Sequence, residues 1–457
     1  MRPGVRAAII AVAVILAAPA RAGDMPVDRL LSLIPDAPAT TRSGPVFSYV
    51  DLRAIEEAGG VAAPESEDAF AAMPREAQRH WFDAMSRVMS GPPDLLAYPA
   101  GIGRRPVTSV EALGIDWFGI DTAMTFWAPP SLVTMIAGTP DLDDPAVVGA
   151  ALAARDFAVR EVGGFDVWHR FEDNQMVPGL DDRLAEADFL LGRLPRAGRV
   201  AVRPGLVVHA INWPAIEAVA ATAAGEAPIS PAAKLSRTIL DIAAETTGAR
   251  LLQATALMLR DVGSADDPGI RMADLFSAPS MSQLLAAIAP LTPGPRLPLY
   301  PLAVIADMQD GEDQLAVIGL PFPDRASADA AAAVLAERLA GWRPDDAAPP
   351  LVETVSGTIE TAVIDGEGIA AATLATFVAA IEGGEAEKRA VDALPGVTGG
   401  SVVIATLRYP TPPADGPVAG GAAFRAWMNG IHRSPHPDGP GRRSRVNGAT
   451  AYRLTTA

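Results

Sequence analysis

Four arginines, Arg193, Arg196, Arg199 and Arg203, fall close together in a chain whose formal charge is −17. A basic run in an acidic protein is where a phosphate, a carboxylate or an acidic partner surface would be received, because the guanidinium fork matches those oxyanions. Strand alternation places Arg199 and Arg203 on one face. Trp168 and Trp213 flank the same region, as Trp117 and Trp127 flank an earlier one, and aromatic rings of this kind line ligand pockets or seal cores. The candidate ligand-binding set is therefore Arg199, Arg203, Trp168, Trp213 and His209. The structural reading beside it is a charged loop next to core tryptophans.

Other constellations are weaker. Asp166, His169, Glu172 and Asp173 include metal-ligand types, but on a strand the odd separation of Asp166 and His169 sends them to opposite faces. A solvated strand edge explains them better, and no metal is expected. Asp141, Asp143 and Asp144 resemble half of a calcium loop without its glycine and distal glutamate, so helix capping is the better account. No G-x-S-x-G, S-x-x-K, H-E-x-x-H or phosphate-cradling G-x-x-x-x-G-K-[ST] occurs, and Gly101-Ile102-Gly103 lacks the third glycine of a dinucleotide fingerprint. A hydrolase with dispersed catalytic residues would first implicate Ser48, Asp51, His169 and His209, since triads are defined by geometry. The catalytic residues are unassigned, no cofactor is expected, and the chain leans away from being an enzyme.

The elements that must position these residues centre on a stretch the sequence states twice. Gly44–Glu56 and Gly205–Glu217, 161 positions on, share Gly, Val, Ala, Ile and Glu at corresponding places. Each copy reads as a short apolar strand, an Asx residue suited to cap a helix (Asp51 or Asn212), and the helix itself. Ser48 and His209 occupy equivalent positions in the two copies. A second echo, Gly138, Pro140 and Asp143 against Gly319, Pro321 and Asp324, comes at an offset of 181.

Around these, hairpins are expected at Asp121–Trp127 with Leu132–Ile136, at Arg199–Val202 with Leu206–Ile211, and at Leu299–Met308 with Gln314–Leu320 about Asp310-Gly311. A further strand is read at Phe165–Phe171. Helices are read around Asp68–Arg87, from Asp143 or Asp144 to Arg155, over a longer insertion from Pro231 to Asp261, at Ser327–Leu339 and at Ile369–Ile381. Thr358–Ile364 and Ser401–Arg408 close the second half. The expected class is α+β, internally duplicated, with two halves that are each an antiparallel sheet carrying helices on one face.

The N-terminus bears on compartment. Met1–Arg6 carries two arginines, Ala7–Ala20 is an uncharged apolar run, and Ala20-Arg21-Ala22 fits an A-x-A cleavage site. This is the layout of a secretory signal peptide, with an apolar core short for a membrane span. The expected organisation is 1–22 signal peptide, 23–191 first half, 192–428 second half with its helical insertion, and 429–457 a flexible basic tail rich in Pro and Gly. With no cysteine there is no lipid-anchor cysteine, disulfide or thiolate, so stability rests on packing. The acidic balance argues against nucleic acid and anionic lipid. The expectation is a periplasmic or extracellular protein, with no stable membrane span after signal cleavage. It binds a small molecule or an envelope protein in a cleft between its halves; an exported hydrolase and an envelope scaffold are the competing readings.

Overall fold

The computed structural model describes residues 25–36, 46–92, 95–102, 108–128, 131–138, 144–173, 198–258, 297, 300, 302–322, 324–342, 349–350, 351–366, 400–411 and 421–426. The expected signal peptide, Arg193, Arg196, the helix Ile369–Ile381 and the basic tail lie outside the described residues.

Twelve strands form one antiparallel sheet. In chain order they are β1 (Phe47–Asp51), β2 (Ile120–Ala128), β3 (Ser131–Gly138), β4 (Ala158–Val162), β5 (Phe165–His169), β6 (Arg199–Arg203), β7 (Leu206–Ala210), β8 (Arg250–Met258), β9 (Leu302–Asp310), β10 (Asp313–Phe322), β11 (Thr358–Gly366) and β12 (Gly400–Pro410). Their spatial order is β11-β12-β10-β9-β8-β1-β2-β3-β7-β6-β5-β4. The expected hairpins are present. Phe165–His169 makes a further hairpin with β4 through Gly163-Gly164, both at positive φ, where a side chain would be strained.

The class is α+β, as expected, but the described strands form one sheet rather than two, and helices cover both of its faces rather than one. On the first face α1 (Pro26–Leu31), α7 (Trp213–Ala223) and α8 (Pro231–Thr247) pack against alternate residues such as Phe47, Met124, Met135, Val208, Val304 and Val317. On the second face two separate apolar clusters form. One joins α2 (Leu52–Ala58), α3 (Glu67–Ala72), α4 (Arg75–Met85), α5 (Ser109–Leu113) and α6 (Pro145–Ala153) to residues such as Val50, Ala123, Ile136 and Val207. The other joins α9 (Arg325–Gly341) and α10 (Leu351–Thr354) to Ile305, Ala316, Val403 and Ala405. The physical reason is that both alternating sets of the central strands are apolar, so both need covering. Β10 shows this residue by residue: Leu315 and Val317 face one layer, Ala316 and Leu320 the other.

Several local readings hold in detail. Asp51 accepts from the Ala54 amide at 2.8 Å and Asn212 from the Ala215 amide at 3.0 Å, so the two similar stretches use the same kind of cap. Their strands nevertheless have different neighbours: β1 lies between β8 and β2, β7 between β3 and β6. Of the alternatives at the next cap, Asp144 accepts from Ala146 and Pro145 opens α6. The long helix expected over Asp68–Arg87 is two helices, since Pro74 cannot donate within a continuing helix.

The largest departure is the stretch from Pro231 to Asp261. Α8 ends at Gly248 in the left-handed region, and Arg250–Met258 turns into β8, a central strand. Β8 is buried on both faces, and only Gln253 and Thr255 interrupt its apolar run, so it reads as a continuation of the preceding apolar helix. Strands β1–β7 and strands β8–β12 thus meet at the β1–β8 pair, and β6 and β7 sit on the same side of it as β2 and β3.

Candidate functional site

On the second face, the gap between the two apolar clusters is filled by polar groups. Arg87, just beyond α4, donates from Nε and Nη2 to the two carboxylate oxygens of Asp307 on β9, both at 2.7 Å. Both residues are buried. Gln253 on β8 donates to Asp307 at 3.0 Å and to the Arg87 carbonyl, while its oxygen accepts from the Met89 and Ser90 amides. Each polar atom has an assigned partner, as burial at this depth requires.

From this cluster a row of polar side chains crosses five strands in register: Thr255, Ser48, Thr125, Thr134 and His209. The segment after α4 crosses its first part. Ser90 pairs with Thr255 at 2.9 Å, and the Gly91 amide donates to Ser48 at 2.8 Å. At the far end His209 is buried, and neither ring nitrogen has a partner. Burial, and then Arg199, lowers its pKa from 6.5 to about 4, so it is neutral at pH 7.

A groove of about 540 Å³ opens beside the Arg87–Asp307 pair. Ala54, Glu57 and Ala58 of α2 form one wall; Gln309, Gly311 and Glu312 at the β9–β10 turn, with Thr411, form the other; Arg250 and Leu252 of β8 lie between. Its walls therefore come from both sides of the β1–β8 junction. Arg250 is held by Glu57 and by Asp51 at 3.6 Å. Gln309 links groove and core: its oxygen accepts from Arg87 at 3.0 Å, and its amide nitrogen donates to Gly311 and Thr411. A β-bulge between Leu251 and Gln253 brings Leu252 to this face.

A second polar cluster lies on the first face, near the β4 edge. The Arg199 guanidinium stands 5.1 Å and that of Arg160 4.8 Å from the Trp213 ring, and the His169 ring meets it edge-on at 5.0 Å. Asp173 accepts from Arg199 Nη2 at 2.6 Å, and both of its oxygens lie 3.1 Å from the Trp213 amide at the start of α7. Burial first, then Arg199 and Arg160, lowers the His169 pKa.

The five expected ligand-binding residues do not form one site. Arg199 and Trp213 meet. Arg203 shares the face of Arg199, as alternation required, but lies over the Phe165 ring, 4.8 Å from its centre. Trp168 pairs with Val200 and therefore faces the opposite way from Arg199, as does His209. The residues named for a dispersed hydrolase also stay apart. Ser48 and His209 share the polar row but are three strands apart, roughly 14 Å at sheet spacing. His169 lies on the other face against Trp213, and Asp51 caps α2. Among the described residues no group of three His, Cys, Asp or Glu side chains could hold a metal.

Sequence reasoning missed Arg87, Gln253, Asp307 and Gln309. Asp307 and Gln309 alternate along β9, which hinted at a shared polar face, but nothing marked Arg87 as their partner.

The fold and these sites define an α+β protein built on one twelve-stranded antiparallel sheet covered on both faces. No family model matches the chain, and no curated protein matches it. A solved structure titled "Structure of crystal form I of TP0453" aligns with a TM-score of 0.29 at 8% identity, covering 76% of this chain and 98% of that one. An overlap this loose bears on neither fold nor function.

Proposed function

We propose that the protein is an exported, non-catalytic binding protein that takes a small ligand in the groove between α2 and the β9–β10 turn. The observation that carries this reading is the composition of the groove walls, which come from both sides of the β1–β8 junction. Ala58 supplies apolar surface above the buried Ala54 and Leu252, while Glu57, Arg250, Gln309, Glu312 and Thr411 supply hydrogen-bonding groups at the rim. That mixture suits a small amphipathic molecule. The Arg87–Asp307 pair keeps Gln309 in place and so preorganises one wall.

Export rests on the signal-like residues 1–22, and the absence from the described residues of a helix long and apolar enough to cross a membrane is compatible with it. An origin by internal duplication is supported by the shared strand, Asx cap and helix at Asp51 and Asn212. The unlike neighbours of β1 and β7 weigh against a simple one.

Native mass spectrometry of the protein purified gently from its own compartment tests the reading. Extra mass lost on denaturation, and absent from an Ala58→Trp variant that fills the groove, is the expected result. A bare chain mass, or a ligand retained by A58W, overturns it.

A further inference from the structure

The second cluster, on the face away from the groove, carries an inference independent of that reading. We infer that Arg199, the Trp213 amide and Arg160 form a carboxylate-binding site, which the chain's own Asp173 occupies in the absence of ligand.

The argument starts from two arginines in the same molecule. An arginine presents Nε–H and one Nη2–H along one edge of its guanidinium, a fork matched to the two oxygens of a carboxylate. At Arg87 that edge is filled, with Nε and Nη2 each 2.7 Å from an oxygen of Asp307. At Arg199 it is half filled: Nη2 donates to Asp173 at 2.6 Å, while Nε is buried without a partner. Arg199 is 1% exposed, and Asp173 is 34% exposed. A fully desolvated cation is thus held through one nitrogen of its fork by a carboxylate that reaches solvent. An unfilled donor at that depth is costly, and a carboxylate seated on both nitrogens would relieve it.

Three further features converge on the same point. Α7, eleven residues long, begins at Trp213 and aims its first free amide at the carboxylate; both Asp173 oxygens lie 3.1 Å from that nitrogen. The positive end of the helix favours an anion there. Arg160, on the exposed strand β4, stands 4.8 Å from the Trp213 ring and is held at 3.3 Å by the half-exposed Glu217. His169, paired in register with Arg199, closes the edge. Asp173 itself shows the chemistry the site accepts. An external monocarboxylate or dicarboxylate would displace it, fill the fork at Nε as well as Nη2, and draw on Arg160.

The test uses the whole protein labelled with 5-fluorotryptophan, the Trp213 resonance being identified by its loss in W213F. Acetate, succinate and inorganic phosphate are titrated in turn. The expected result is a saturable shift of the Trp213 resonance with the carboxylates, about tenfold tighter in D173A, where the internal competitor is gone. R199K keeps the charge but loses the fork, and is expected to abolish the shift. R160Q, on an exposed strand, is expected to weaken it severalfold without touching the core. Should D173A or R199K fail to fold, wild type against R160Q decides: a saturable carboxylate shift weakened by R160Q supports the site, and a flat titration or one R160Q leaves unchanged overturns it. Saturation by phosphate alone overturns the carboxylate assignment, and a shift that survives R199K unchanged overturns the site.

Discussion

Arg87 and Asp307 stand 220 positions apart in the chain and meet as a buried bidentate pair with both contacts at 2.7 Å. They join the two apolar clusters of the second face, which the β1–β8 pair also connects. Gln253 and Gln309 complete the cluster, so the pair is a fastener between the two sides of the sheet and the inner support of the groove.

Removing one partner leaves the other as an uncompensated buried charge. Asp307→Ala or Arg87→Met is therefore expected to cost about 3–5 kcal/mol in urea denaturation. The double variant R87M/D307L is expected to recover most of that loss, because no charge is then stranded. A single variant as stable as wild type would show that the pair is open to water.

His209 gives a pH dependence of defined sign. Its folded pKa is about 4 against 6.5 in the unfolded chain. Between those values the unfolded state binds more protons, so stability is lost as pH falls from about 6.5 to 4, by roughly 3 kcal/mol. His209→Leu removes the titration and both unpartnered nitrogens. Its stability is expected to match or exceed wild type at pH 7 and to fall less steeply with acid, measured by thermal melts across that window.

Asp241 on α8 works in the opposite direction. Burial, then the neighbouring Asp28, raises its pKa from 3.8 to about 6, against the opposing pull of Arg237. Here the folded state binds more protons between those values, so stability declines as pH rises from about 4 to 6. The side chain is 28% exposed and solvent screens the effect. Asp241→Asn is expected to gain about 1 kcal/mol at pH 7 and nothing near pH 3.5. A gain that is the same at both pH values would assign the effect to packing.

Gly319 on β10 lets α8 lie against the sheet. A Cβ there would come 2.2 Å from Cγ2 of Ile239. Gly319→Ala is expected to cost about 1–3 kcal/mol through overpacking. Combined with Ile239→Ala the cost is expected to be less than the sum of the two single effects, because the second change opens the space the first one needs. Additive costs would place the clash elsewhere.

The polar row shows why part of the structure was hidden from the sequence. Ser48, Thr125, Thr134 and Thr255 alternate with apolar residues, the pattern of a strand with one face in water. Ser48, Thr125 and Thr255 are instead covered by the segment that follows α4, whose Ser90 and Gly91 supply their partners. Period alone cannot distinguish a solvated face from a buried one whose hydrogen bonds come from elsewhere in the chain.

What the sequence determined by itself was local. Caps at Asp51, Asn212 and Asp144, the Asp310-Gly311 turn and the hairpin about it follow from contacts only a few residues apart, which backbone geometry and side-chain type fix without reference to the rest of the fold. So did the shared face of Arg199 and Arg203, which follows from strand alternation. The tertiary structure alone decided the rest. Β8 became an inner strand, paired along both edges, because burial on both faces favoured it there. Trp168 and His209 parted from Arg199 because an odd step along each strand reverses the side chain. Arg87 met Asp307, and Asp173 met Arg199, because sheet order brings together residues whose separation along the chain carries no signal.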